Sequence, residues 1–544
     1  MSASLDDLTG IAAGILGKEP TQRPGNGGDE TAAGKPTIIV RAGERHLAAD
    51  AGLDALQACG VPFYRRDKDL VRILRIKLKL SDGSDVLVPA VVLVTMPMLL
   101  RALGRSAHWR KFNSKREKVS IDPPAVVAEQ ILGMADEWPF PPLRGVIATQ
   151  TMRYDGTLLT RPGYDPATGF VLFEPPPMPP IPDQPSKGDA LEALALLNDL
   201  LSEFVFADDD NVSRSAAISM IMTLVLRGAM DVAPMHAITK PEAGTGGSYL
   251  QDLAAAIAIG KRCPVISLTA NDEENEKRLA ATALAQQPVV AIDNVSSLLM
   301  GDFLCQLIER PELQCRRLGG SELTNVVNSV SVLANGNNLT VGADAVRRVI
   351  QIALDANIEN PETRTFARNP VAEVLADRGR YVGAVLTIAR AYRVASMPDR
   401  QPPRPSFERW SDIVRSPLVW LGWPDPVLSV EQVRAEDPVR TRRAAVFSAW
   451  VSELLVGIGY QSGELVRLAE ATENGERARP ALWDALLAVA RPKSGYQTID
   501  TLRLSHWLRK NTNGIAGGHK LLVDHSDKAR PRYRLESHQI QHAG

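Results

Sequence analysis

MHAITKPEAGTGGSYL, residues 235–250, is the stretch on which the reading of this 544-residue chain turns. A short apolar run breaks into a loop holding Gly244, Gly246 and Gly247 and then enters a helix-compatible segment, the layout of a phosphate-binding loop. In the pattern G-x-x-x-x-G-K-[ST] the lysine reaches the β- and γ-phosphates and the hydroxyl serves Mg2+. Ser248 stands in the hydroxyl position and Thr245 lies within the loop, but Gly247 replaces the lysine and Pro241 replaces the first glycine. Lys240, one residue before the loop, is a cation that could swing in.

Outward from the loop, strand-like and helix-like runs alternate. Helices are expected at 249–259, 273–285 and 299–309, and strands at 264–268, 288–292, 330–333 and 349–353. Helical segments at 189–204 and 212–230 lead into the loop, and a long amphipathic segment at 370–395 follows the last strand. This order predicts a parallel sheet covered by helices, with nucleotide at the carboxyl ends of its strands.

The ends of those strands carry the candidate chemistry. Strand 288–292 runs into Asp293, which suits the placing of Mg2+ through water, and Asn294, which cannot accept a proton where a second acid is expected. Strand 330–333 ends in ANGNN, and among Asn335, Asn337 and Asn338 the choice for an amide touching a terminal phosphate or water is Asn337. A turn that simply favours Gly and Asn is the alternative. Arg347 and Arg348 stand at the entry of the last strand, where a guanidinium could reach a neighbouring subunit's nucleotide. Glu273, Glu274 or Glu276 could orient water if strand 264–268 neighbours the loop strand, with Glu274 taken as representative. They equally suit a helix N-terminus that favours negative charge.

PEAGTGGS, VVAIDN, VLANGNN and RRVIQI, in that order, resemble the AAA+ core of superfamily 3-type helicases of viruses, plasmids, prophages and other integrated elements. The resemblance covers roughly residues 188–395, and RYDGTLLTRPGYDPATG, residues 153–169, is similar to a segment preceding such cores in phage and plasmid primase-helicases. It implies a ring-forming, usually hexameric, ATP- and Mg2+-dependent DNA translocase that unwinds or opens a replication origin, with a primase or other replication protein as a further partner. By position it implies Gly244, Thr245, Gly246 and Ser248 for phosphate and Mg2+, Asp293 as Walker B, Asn337 as sensor 1 and Arg348 as arginine finger. Gly247 and Asn294 depart from the family pattern. They support a second expectation, an AAA+ DNA-binding scaffold or regulator without turnover. A third is an NTPase switch outside replication, for instance in defence of the element.

The flanks complete a multidomain α/β expectation. Residues 1–36 read as a flexible lead, 37–174 as an α+β accessory domain, 175–187 as a proline-rich linker, 188–395 as the ATPase core, 396–406 as a second linker, 407–478 as a helical region and 479–544 as a winged helix. Within the accessory domain, apolar runs at 70–80 and 86–94 flank Asp82-Gly83 as a hairpin. Residues 101–118 interleave Arg110, Lys111 and five other cations with Trp109 and Phe112, which suits DNA phosphates and stacking or else a solvated helix face. The winged helix is locally basic, Lys528 and Arg530 among its cations, with Arg503, Arg509, Lys510 and Arg532 as DNA candidates.

Composition bounds these readings. Net charge is −1, with 23% charged and 44% hydrophobic residues, so any nucleic-acid surface must be local. The four cysteines lack zinc spacing and read as buried free thiols. The longest apolar run, 216–226, falls short of the roughly 18 residues of a membrane span, and no signal-peptide pattern opens the chain, which sets the expectation at a cytoplasmic protein without membrane contact.

Overall fold

The computed structural model describes residues 35–544 except 80–84, 136, 270, 296–298, 300, 317–322, 359, 431–437, 474, 493–497, 525–530 and 539–544. Residues 1–34, the turn at Asp82-Gly83, and Lys528 and Arg530 lie outside the described residues. The chain forms two compact units that cut across the expected 37–174 domain: one joins residues up to Phe63 with Leu93–Phe140, the other joins Tyr64–Val92 with Pro141 onward.

In the smaller unit, His108–Phe112 is the central strand, parallel to Thr37–Val40 and antiparallel to Lys118–Ser120. Strand alternation sends Trp109 to one face and His108, Arg110 and Phe112 to the other. Helices Arg45–Ala58, Met96–Ser106 and Ala125–Gly133 pack around Trp109, whose indole N–H donates to Leu103 O at 3.0 Å. A side chain on Gly52 would crowd Leu103, Trp109 and Ile131, so glycine lets these helices close on the sheet. The opposite face stays exposed, with Phe112 41% accessible and Lys118 paired across from it. Thus the basic stretch at 101–118 is one helix end and a hairpin, and Arg110 and Lys111 are both exposed.

The larger unit contains the hairpin strands Asp69–Lys79 and Asp85–Leu93 beside Phe63–Arg66. Residues 153–169 fold back through Arg153, which grips buried Asp165 at 3.0 Å, and Met152 enters the main core. Its principal sheet is parallel and built from β1 (Met235–Lys240), β2 (Val265–Ile266), β3 (Val289–Ile292), β4 (Ser331–Asn337) and β5 (Val349–Ala353) in the order β2-β3-β4-β1-β5. The fully apolar VVAI of β3 is what a strand covered on both faces requires. Helices α1 (Lys187–Asp199), α2 (Val212–Leu226), α3 (Gly247–Ile259), α4 (Asp272–Leu284), α5 (Asp302–Glu309), α6 (Pro370–Ala376) and α7 (Arg378–Val394) surround it. An unexpected antiparallel hairpin, Glu312–Arg316 with Leu323–Val327, separates α5 from β4. Among the described residues, Val212–Ala229 alone is long and apolar enough to cross a membrane, and 89% of that window is buried in this core.

Both expected linkers are packed. Pro177 O lies where a Cβ on Gly379 would stand, and Met178 lies against Gly383, so two glycines one turn apart on α7 seat the proline strap. In residues 396–406, Arg400 pairs with Asp412 at 2.6 Å, and the guanidinium of Arg404 donates to Arg347 O. The expected helical region 407–478 also divides. Phe407, Trp410 and Trp420 belong to the core around the parallel sheet, where the Trp410 indole donates to Thr223 Oγ1 at 2.8 Å. Trp450 belongs to a separate C-terminal core made by α8 (Pro438–Glu453), α9 (Ser462–Glu470), α10 (Pro480–Ala490), α11 (Thr501–Lys510), β6 (His519–Asp524) and β7 (Arg532–Ser537). That core therefore begins about 40 residues before position 479, because Val446, Phe447, Leu465 and Val466 are buried in one cluster with Leu482, Leu504 and Leu535. The four cysteines form no disulfide with one another, and Cys263 and Cys315 are buried as expected, whereas Cys59 is exposed.

Candidate nucleotide site

The carboxyl end of β1 opens into the glycine loop, and α3 begins at Gly247. The first amides of α3 have no carbonyl one turn earlier, so they face the loop as free donors at the positive end of a helix dipole. Pro241, Glu242 and Gly244 are exposed along the rim, while Thr245 is buried and its hydroxyl donates to Glu242 O at 2.7 Å. Gly244 and Gly246 take positive φ, 83° and 104°. At Gly244 a Cβ would also meet the backbone N of Glu362 at 2.8 Å, so residues 361–363 lie over the loop.

Three side chains converge on Asn335. Its Nδ2 donates to Ser248 Oγ at 2.9 Å and to Asp293 Oδ1 at 2.8 Å, and its Oδ1 accepts from Lys240 Nζ at 2.8 Å. Asn335 is 1% exposed, and every one of these bonds is formed at the carboxyl ends of β1, β3 and β4. Burial pushes the Lys240 pKa down, and Asp293 pulls it back up. The Asp293 turn is tight: Asn294 takes φ 55°, its N–H donates to Asp293 Oδ1 at 2.9 Å, and the Val295 N–H donates to Asn335 O at 3.0 Å.

Several expectations change here. The expected amide, Asn337, is exposed at the strand end, and Asn335 is the one joined to Ser248 and Asp293. The reason is length: β4 runs to Asn337, which carries Asn335 back inside the sheet between β3 and β1. The case for Glu274 required strand 264–268 to neighbour the loop strand. Instead β2 is the sheet edge, with β3 and β4 between it and β1, and Glu274 pairs with Arg278 at 3.2 Å on the first turn of α4. Arg348 lies at the amino end of β5, where its carbonyl accepts from Met235 N, the opposite end of the sheet from the loop. Its side chain is turned inward onto Glu309 at 2.5 Å, whereas Arg347, also paired with Glu309, is 56% exposed. Burial would raise the Glu309 pKa, but bonds from Ser406 and Arg348 outweigh it and hold the carboxylate low.

Sequence reasoning missed the cover of the site. Phe204 and Tyr249 stack with centroids 6.1 Å apart beside Gly246, and the Tyr249 hydroxyl donates to Asn369 Oδ1 at 2.6 Å. Arg364 donates to Glu203 O, and Arg368 grips Asp199 and Glu373. The signal available was a run of arginines and asparagines, 357–369, that no helix or strand pattern absorbs.

The DNA candidates separate as well. On α11, Leu504 and Leu508 are buried while Arg503, His506, Arg509 and Lys510 are exposed, and Leu502 is 69% accessible. Arg532 is tied back to Glu464 at 3.3 Å and to Gly459 O, so it points into its own domain.

No family model matches this chain, and no curated protein matches it. Solved structures align loosely. The A-form apo structure of the NrS-1 C-terminal region is 12% identical, covers 89% of this chain and 98% of that one, and has a TM-score of 0.37. The X-ray structure of JCV helicase is 13% identical, covers 49% of this chain and 72% of that one, and has a TM-score of 0.21. At such scores the alignments fix neither the fold nor the activity of this chain.

Proposed function

We propose that this chain is an ATP-driven DNA helicase or translocase, or a replication initiator of a mobile element, working as a ring of identical subunits. The observation that carries the reading is Asn335, which from β4, between β1 and β3, joins Ser248 at the start of α3 to Asp293 just after β3 at the carboxyl edge of a parallel sheet. A hydroxyl at a helix N-terminus, a carboxylate across from it and a cradle of free amides form the donor set that a magnesium-bound triphosphate requires. Ser248 and Asp293 would hold the ion, and the amides from Gly244 to Ser248 the phosphates. Mg2+ held there would supply neutralisation of the charge that develops in phosphoryl transfer. Asn335 fixes both metal-facing groups at once, so their spacing is set before ligand arrives, and Glu362 lies against Gly244 of the loop.

For DNA, the exposed face of α11 serves as the reading helix of a winged-helix domain, and the open sheet face bearing Arg110 and Phe112 serves as a single-strand platform. A second reading, a nucleotide-binding scaffold without turnover, is favoured by one observation: Asn294, not an acid, follows Asp293.

The test is phosphate release by the full chain with ATP, Mg2+ and single-stranded DNA. Release that rises with DNA supports a motor. Binding of ATP with no release selects the scaffold, and absence of ATP binding sinks both.

A further inference from the structure

Gly247 stands where a phosphate-loop lysine is expected, and its surroundings show what has taken that space. A Cβ built on Gly247 would lie 2.3 Å from Asn335 Oδ1 and 3.0 Å from Lys240 Nζ. The position is therefore filled from across the sheet, by the amide of β4 and the ammonium that ends β1. Any side chain at 247 would have to displace the groups that join Lys240 to Asn335.

Lys240 is well placed to act on what the loop holds. As the last residue of a central strand it has a fixed backbone: it pairs in register with Asn337 and its carbonyl accepts from Asn338 N at 2.8 Å, while Thr239 just before it pairs with Ala353 on the other side. Its ammonium is half-buried, held at 2.8 Å by Asn335 Oδ1, and lies beside the start of α3, where the loop amides converge. The loop itself, 241–248, holds no cation, and Lys240 brings a positive charge to the amide that also bonds Ser248 and Asp293.

We propose that Lys240 supplies the phosphate-binding cation of this loop from the preceding strand, and that Gly247 is glycine because the cation and its amide partner occupy the usual lysine's place. The proposal rests on the nucleotide-site reading above. Lys240 holds its charge against Asn335 Oδ1 and transfers that hydrogen bond to a phosphate oxygen, without leaving the strand end.

ATP with Mg2+ is titrated into the full chain by calorimetry, alongside Lys240→Met, Lys240→Arg and Gly247→Lys. Loss of one charge-assisted bond predicts about 30-fold weaker binding for Lys240→Met, with partial recovery in Lys240→Arg. Equal affinity of wild type and Lys240→Met would overturn the proposal and leave the nucleotide site standing. No binding by wild type would overturn both. Gly247→Lys is expected to bind no better than wild type, and a gain there would count against Lys240. Wild-type protein labelled with a pyridoxal adenosine diphosphate, whose aldehyde sits at the phosphate end, gives a measurement independent of variant folding. After borohydride reduction the adduct should map to Lys240 and be prevented by ATP; labelling confined to other lysines would refute the assignment.

Discussion

Gly336→Ala adds one methyl group at the point where β4 passes beneath the Asp293 turn. The new Cβ would lie 2.2 Å from Val295 O and 3.0 Å from Val295 C, both backbone atoms, so no side chain can rotate away. Restoring an ordinary carbon–oxygen contact of about 3.3 Å requires the turn to retreat by roughly 1 Å. Retreat stretches the Val295 N–H bond to Asn335 O, now 3.0 Å, and draws Asp293 from Asn335 Nδ2. Reduced chain entropy in the unfolded state favours alanine by about 0.5–1 kcal/mol. Overpacking costs about 1–3 kcal/mol, and a weakened buried hydrogen bond about 1 kcal/mol more. The net is a loss of about 1–3 kcal/mol, several degrees in Tm at about 2–4 °C per kcal/mol for domains of this size. Thermal unfolding should show it beside Gly463→Ala, where the nearest atom to a new Cβ is 4.0 Å away and the change should be neutral or stabilising. A Gly336→Ala protein that melts at or above wild type would refute the packing of this turn on β4.

Other perturbations read different parts of the molecule. Arg227 is buried with its pKa pushed down to about 10, and its guanidinium donates to the carbonyls of Met230, Asp231, Asn328 and Val330. Arg227→Met strands those acceptors and should cost about 2–4 kcal/mol in urea unfolding, and a negligible loss would contradict the bonding. His236 is buried at 2.9 Å from Ser219 Oγ, and burial lowers its pKa from 6.5 to about 3. The unfolded chain takes up that proton while the folded one does not, so its contribution is whole above pH 6.5 and is lost as pH falls toward 3. About 2 kcal/mol should disappear by pH 5, and His236→Gln should flatten this acid limb; superimposable limbs would refute it. On the open sheet face, Phe112→Ala should weaken single-stranded DNA binding by about 1–3 kcal/mol in fluorescence anisotropy. Arg110→Ala should lower the salt slope by about 0.7, and no change in either would remove the platform.

The strands and helices around the loop were legible because each is a continuous apolar or periodic run bounded by polar residues. Their spatial order was not. Nothing in VISL or VVAI says which strand lies beside β1, and the expectation for Glu274 failed on that point alone. Asn335 and Asn337 lie two residues apart and share a face, so alternation cannot choose between them; only the pairing of β4 with β1 and β3 does. The Glu312–Arg316 and Leu323–Val327 strands do alternate, with Leu313, Cys315, Thr324 and Val326 inward, yet their short polar-looking runs resemble loop. Proline-rich segments read as linkers because proline abolishes internal hydrogen bonding. Their seats, Gly379, Gly383 and Ser416, are hundreds of residues away or belong to another helix's pattern.

The strap on α7 bears on how the chain comes off the ribosome. Residues 175–187 emerge roughly 200 residues before the glycines that receive Pro177 and Met178, and β1 emerges more than 100 residues before β5 closes its second side. The loop strand must therefore wait, with neither neighbouring strand, until β4 and β5 are synthesised, and Trp410 completes its packing later still. Such a long interval of exposed apolar strand is a demand on chaperones rather than on the finished fold, and it makes slow translation or truncation before about residue 430 a route to aggregation for this protein.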